Sequence, residues 1–249
     1  MKLSITIPAH NEEDRIRRTL VTYHQFFSGL RGHDNLAFEI IVVLNGCTDG
    51  TFMVVEEVCE QLDNILVVDL DEAGKGLAVR AGFTDALKRD NDLIGFVDAD
   101  MATAPEQFYD LATVIEKEDV DGAIASRYAP GAIVSPPRPA IKRWGSRIFY
   151  EPLVWLLFGM RYHDLQCGAK LFRRKVVEKV VPQMTVDDWA FDAELLYLCK
   201  KFGFKIKEVP TIWHDQAGSK LSTLGSGLPM LWSLITLRKR LSKNQKLKL

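Results

Sequence analysis

The sequence predicts an α/β fold, a mainly parallel sheet with helices on both faces, and three observations support it. Short apolar runs alternate with helical patterns through the first half of the chain. The run Leu93-Ile-Gly-Phe-Val97 is apolar throughout, as a strand buried on both faces requires. The runs end in loops of Gly, Asn, Asp and other polar residues, which would line the carboxyl edge of the sheet, where open α/β sheets bind ligands.

In chain order, strands are expected at Leu3 to Ile7, Phe38 to Leu44, Ile65 to Leu70, Leu93 to Val97 and Gly122 to Ala125. Helices are expected between them at about Glu12 to Leu30, Thr51 to Leu62, Gly76 to Lys88 and Pro105 to Glu116. Further on, an aromatic-rich segment from Trp144 to Tyr162 suggests a short helix, and Trp189-Ala-Phe-Asp-Ala-Glu-Leu-Leu196 opens another. Lys205 to Ile212 is strand-like, and an apolar helix at Leu228 to Leu237 precedes a tail, Arg238 to Leu249, with six basic residues and no acid. The expected division is a catalytic unit over 1–225 and a C-terminal helix and tail over 226–249.

A chain of 249 residues, 47% hydrophobic and 26% charged, can bury a full core. The formal net charge of −1 argues against a nucleic-acid partner bound through a wholly basic surface. Cys47, Cys59, Cys167 and Cys199 have no CxxC spacing, so neither a zinc site nor a disulfide framework is indicated. No signal-peptide pattern precedes the first strand, and the longest apolar cluster, Pro152 to Met160, is about half of what a bilayer span needs. A cytoplasmic location is expected.

The chemistry gathers in four loops. Pro8-Ala-His-Asn-Glu-Glu13 follows the first strand; Asn11 could cap the next helix, and Glu12 and Glu13 suit its positive end. Asn45-Gly-Cys-Thr-Asp-Gly-Thr51 is a glycine-rich turn in which Asp49 is a second candidate cap. Glu72-Ala-Gly-Lys-Gly76 sets a lysine between two glycines that would let backbone amides approach an anion. The fourth loop brings Asp98 and Asp100. Residues two apart on an extended chain point the same way, so both carboxylates can face one hard cation, which could neutralise a nucleotide diphosphate. A strand end with a solvated acidic turn would look the same, so the company of the other three loops decides.

Those four motifs in this order resemble the nucleotide-sugar-binding half of a family 2 glycosyltransferase with the GT-A fold. The runs Asp98-Ala-Asp-Met-Ala-Thr103 and Asp164-Leu-Gln-Cys-Gly-Ala-Lys-Leu-Phe172 look most like the dolichyl-phosphate β-glucosyltransferases among the polyprenyl-phosphate hexosyltransferases. The resemblance covers about residues 3 to 221. It implies that Pro8, His10, Glu12 and Asn45 line the base and ribose pocket, that Lys75 lies near the diphosphate with Ala99 in the nucleotide-sugar site, and that Asp98 and Asp100 hold Mg²⁺ or Mn²⁺. His10 stands where tyrosine is commoner and Asn45 where aspartate is, which leaves base preference open.

For the acceptor side, the resemblance implies that Arg127, Arg143, Ser146 and Lys220 approach a phosphate and that Asp164, Gln166 and Gly168 belong to an acceptor loop. Asp192 sits at the edge of an apolar helix face and is either an N-terminal cap or a site residue that orients a group or accepts a proton. With Asp100 and Arg127 it completes the candidate catalytic set. Trp and Tyr enrichment and flanking basic residues make the helix at 144–162 a candidate for the membrane interface, and the basic tail suits anionic lipid. The expected activity is inverting, metal-dependent transfer of a hexose, glucose from UDP-glucose being favoured, onto a polyprenyl or dolichyl phosphate by a protein peripherally bound at the cytoplasmic membrane face. GDP-mannose, a soluble phosphorylated acceptor, or non-catalytic nucleotide-sugar binding are the alternatives.

Overall fold

A computed structural model describes residues 1–30, 36–136, 151–214 and 227–246. In chain order its strands are β1 (Lys2–Ala9), β2 (Ala37–Asn45), β3 (Ile65–Leu70), β4 (Leu93–Val97), β5 (Gly122–Ser126), β6 (Ile133–Ser135), β7 (Ala169–Arg173), β8 (Ile206–Pro210) and β9 (Ile212–His214). The helices are α1 (Ile16–Leu30), α2 (Thr51–Gln61), α3 (Lys75–Ala86), α4 (Pro105–Lys117), α5 (Glu151–Phe158), α6 (Arg174–Val180), α7 (Phe191–Lys201) and α8 (Gly227–Lys246).

Seven strands form one sheet in the order β3-β2-β1-β4-β7-β5-β8, and β6 pairs with β9 in a small parallel ribbon. Every neighbour pair in the large sheet is parallel except those of β7, which runs antiparallel between β4 and β5. The α/β expectation is met; the sequence reading missed β6, α6 and β7, and of these β7 lies inside the large sheet. Its place shows in two glycines: a Cβ at Gly95 of β4 would overlap the Lys170 carbonyl, and one at Gly122 of β5 would press on Phe172. Glycine inside a strand marks such close approaches.

Each face of the sheet carries its own core. On one, Ile16, Leu20, Tyr23 and Phe27 of α1 and Phe108, Leu111, Ala112 and Ile115 of α4 recur at helical spacing and pack on the apolar side chains of β1 and β2. On the other, α3, α6 and α7 bury Val79, Phe83, Val176, Phe191 and Leu195 against Phe96 and Phe172. Val154 and Phe158 of α5 and Leu234, Leu237 and Leu241 of α8 join this second core.

Several bounds differ from those expected: the strand-like run Lys205 to Ile212 divides into β8 and β9, and two helices differ in a way that bears on the reading. α1 begins at Ile16, because Glu12 to Arg15 form a turn closed by the Arg15 and Ile16 amides on the Glu12 carbonyl at 2.9 Å. α8 runs as one helix from Gly227 to Lys246, so the first part of the basic tail is helical.

Candidate active site

A cleft of about 500 Å³ opens at the carboxyl ends of β1, β2 and β4. It is lined by Pro8, His10, Glu12, Asn45, Lys75, Asp98, Ala99, Asp100, Arg127, Gln166 and Asp192, so eleven of the residues singled out in the sequence share one cavity. Arg143, Ser146 and Lys220 lie outside the described residues.

The loops after β1 and β2 clasp each other. The Thr48 amide donates to Asn11 Oδ1 at 2.7 Å, and the Gly50 amide to Glu13 Oε2 at 2.7 Å. Asn11 therefore ties two loops together instead of capping α1, while Asp49 does serve the start of α2 by accepting the Thr51 amide at 3.0 Å. His10 Nδ1 bonds the Asn45 carbonyl at 2.7 Å, and Glu12 pairs with Arg15 at 2.6 Å. Arg15, which also lines the cleft, was not anticipated.

The acidic turn is anchored from α1. Thr19 Oγ1 donates to the Ala99 carbonyl at 2.6 Å and the Tyr23 hydroxyl to the Thr103 carbonyl at 2.9 Å, both buried. Asp100 Oδ1 accepts the Ala102 amide at 3.0 Å. Burial and the neighbouring Asp98 carboxylate push the Asp100 pKa up, partly offset by Ala102, Lys75 and Arg15. Such a pair favours bound positive charge.

That charge is already represented by Lys75, whose Nζ lies 2.6 Å from Asp98 Oδ1 and 5.0 Å from the centre of the Trp189 ring. Burial opposes the ammonium, but Asp98 and Asp192 outweigh it and hold its pKa above the usual value. The flanking glycines serve a purpose other than the expected one. The Gly76 and Leu77 amides donate to the Asp187 carbonyl at 2.9 and 3.3 Å, and a Cβ at Gly74 would stand 2.7 Å from that same oxygen. They admit the 186–187 backbone.

On the far wall, Arg127 and Asp164 form a buried bidentate pair: Nε to Oδ2 at 2.6 Å and Nη2 to Oδ1 at 2.7 Å, with the Arg127 amide also on Oδ2 at 3.0 Å. The guanidinium stacks 4.9 Å from the centre of the Trp213 ring. Burial alone would raise the Asp164 pKa, but Arg127 holds it below the ordinary range. Two of the nitrogens expected to meet a phosphate are thus committed to Asp164. Gly168 sits behind Asp98: its carbonyl accepts the Asp98 amide at 2.9 Å, and a Cβ there would overlap the Asp98 carboxylate. Asp192 is buried and does not cap α7; its Oδ1 meets Lys170 Nζ at 2.5 Å.

A divalent cation fits this arrangement. Among the described residues no group of three or more His, Cys, Asp or Glu side chains could hold a metal. Asp98 and Asp100 would supply two carboxylates and leave the other positions to diphosphate oxygens and water, the usual way Mg²⁺ is held.

The family model for glycosyl transferase family 2 matches residues 4–181. A dolichyl-phosphate beta-glucosyltransferase of Drosophila melanogaster is 34% identical over 92% of this chain and 72% of its own length. Glycosyltransferase AglD of Haloferax volcanii is 28% identical over 98% of this chain, which spans only 39% of that protein. Among solved structures, the glucosyl-3-phosphoglycerate synthase of Mycobacterium tuberculosis, crystallised with Mn²⁺, UDP and phosphoglyceric acid, superposes with a TM-score of 0.68 over 95% of this chain and 78% of that one. At 18% identity it bears on the fold alone, which is GT-A.

Proposed function

The chain belongs to glycosyl transferase family 2, and from that premise we propose that it transfers glucose from UDP-glucose onto a polyprenyl phosphate, with inversion, at the cytoplasmic face of a membrane. The observation that supports this most is the composition of the cleft: the Asp98–Asp100 carboxylate pair, Lys75 and Asp192 gather together, and Arg127, held by Asp164, lines the same cavity. Relatives named dolichyl-phosphate beta-glucosyltransferase point to the lipid acceptor and to glucose.

In this reading Pro8, His10, Glu12 and Asn45 hold the base and ribose, and Lys75 meets the diphosphate. Asp98 and Asp100 would hold Mg²⁺ or Mn²⁺, which when bound neutralises charge developing on the departing diphosphate. The acceptor phosphate oxygen attacks the anomeric carbon as the bond to the UDP oxygen breaks, and one displacement inverts the centre. A phosphate monoester with a second pKa near ~6 is already largely deprotonated at neutral pH, so a strong base is not needed. The free part of the Arg127 guanidinium, with Arg143, Ser146 and Lys220, holds that phosphate in line. Gln166 also lines the cleft.

A lipid acceptor also accounts for the surface. Trp155 and Leu156 of α5 are 48% and 75% exposed, and Trp232 of α8 is 69% exposed, while the opposite faces of both helices are in the core. No helix among the described residues is long and apolar enough to cross a membrane, and exposed tryptophans on helices whose other face is in the core suit contact at the interface. Incubation with UDP-glucose, Mg²⁺ and dolichyl phosphate should yield a glucolipid. No product with any nucleotide sugar would sink the proposal.

A further inference from the structure

One buried charge has no part in the function above. Lys170 lies on β7, fully buried, where its neighbours Ala169, Leu171 and Phe172 are apolar and equally buried. Its Nζ donates to the Cys167 carbonyl at 2.7 Å and to Asp192 Oδ1 at 2.5 Å, and lies 5.2 Å from the centre of the Phe96 ring. A sheet core gains nothing from an ammonium there, since desolvating it is costly unless a partner answers it. The partner is Asp192, and Asp192 lines the cleft.

We propose that Lys170 is a positioning residue: by engaging Oδ1 from the sheet side it fixes the orientation of the Asp192 carboxyl group and leaves Oδ2 to accept a hydrogen bond from a hydroxyl of the bound hexose. A carboxylate would repel the acceptor phosphate, whereas a sugar hydroxyl is a donor it can receive. The inference rests on the functional reading in one respect, that the cleft holds a hexose.

The groups facing Asp192 are Lys170 from β7, Lys75 from α3 and Asp98 at the end of β4; Arg127, Asp187 and Asp188 line the same cleft. Burial, the largest influence, and Asp98 raise the Asp192 pKa above the ordinary carboxylate value, and Lys170, then Lys75, hold that rise in check. Removing Lys170 takes away the largest opposing charge, so Asp192 should take up its proton at higher pH and present a donor where an acceptor is needed.

Carbon-13 NMR of aspartate-labelled protein follows the Asp192 carboxyl without turnover, assigned by its absence in Asp192→Asn. Lys170→Met should raise its titration midpoint by about one pH unit or more. The acid limb of kcat/KM should move the same way, with kcat falling more than the KM for UDP-glucose changes, and Lys170→Arg should restore most of both. In the Asp192→Asn background, Lys170→Met should alter turnover by no more than about twofold. An unshifted midpoint overturns the proposal, and so does a further loss on the order of tenfold in that background. This second comparison needs only Asp192→Asn and the double variant, so it stands even where Lys170→Met alone does not fold. Wild-type transfer to dolichyl phosphate tests the functional reading separately, because the titration needs no substrate.

Discussion

Replacing Gly168 by alanine should cost the protein far more activity than stability. A Cβ at this position would overlap Asp98 Oδ2 and Cγ and stand 2.8 Å from Oδ1, inside the 3.0 Å that real Cβ atoms keep. The backbone is poorly placed to retreat, because the Gly168 carbonyl accepts the Asp98 amide and the next residue enters β7, which is paired on both edges. The softer partner is the Asp98 side chain, 26% exposed. Regaining an ordinary carbon–oxygen separation of ~3.3 Å requires it to swing by on the order of 1 Å, away from its place beside Lys75. Overpacking of this kind costs about 1–3 kcal/mol. For a chain of this length each kcal/mol lowers Tm by ~2–4 °C, so a drop of several degrees is expected. A 1 Å misplacement of a reacting constellation, by contrast, costs on the order of 100-fold in rate. Steady-state transfer assays below the variant's Tm, beside a melting curve, separate the two effects. Wild-type kcat/KM in Gly168→Ala would refute the view that Gly168 sets the position of the Asp98 carboxylate.

Asp98→Ala and Asp100→Ala should each abolish transfer while leaving the fold intact by circular dichroism, and full activity in both would remove the metal role. Asp164→Asn breaks a buried pair and should destabilise the protein by about 3–5 kcal/mol at neutral pH in a urea titration. Because Arg127 depresses the Asp164 pKa in the folded state, the pair's contribution is fully present above the ordinary carboxylate value of ~3.9 and is lost as pH falls below it. The variant should therefore show a flatter acid limb, and an unchanged one would contradict the pairing. Trp155→Ser combined with Trp232→Ser should weaken flotation with anionic vesicles while sparing transfer to a detergent-dispersed acceptor; unchanged flotation would argue against contact through α5 and α8.

The donor wall was legible because its residues follow strands that the sequence announces. Asp98, Asp100 and Lys75 sit one or a few residues past apolar runs, and a parallel sheet brings all such loops to one edge. The reasons behind some residues were not legible. Gly74 and Gly76 fit an anion loop as well as they fit the close passage of residues 186–187, and only the fold, which brings together chain segments more than a hundred residues apart, distinguishes them. Lys170 reads in sequence as part of a short mixed run, and its burial follows from β7 being inserted antiparallel between β4 and β5. Gly95 and Gly122 were the available signal for that insertion. Trp189 and Trp213 sit at the boundary of a helix and in a short strand, and nothing local marks them as platforms for Lys75 and Arg127.

The most direct test of the proposed activity is a competition between acceptors. The protein is given radiolabelled UDP-glucose and Mg²⁺ with dolichyl phosphate in anionic vesicles and 3-phosphoglycerate in solution, in one reaction, and the label is partitioned between organic and aqueous phases. Label extracted into the organic phase, β-linked and absent with Asp98→Ala, is the predicted result; glucosylated product confined to the aqueous phase would contradict a lipid acceptor.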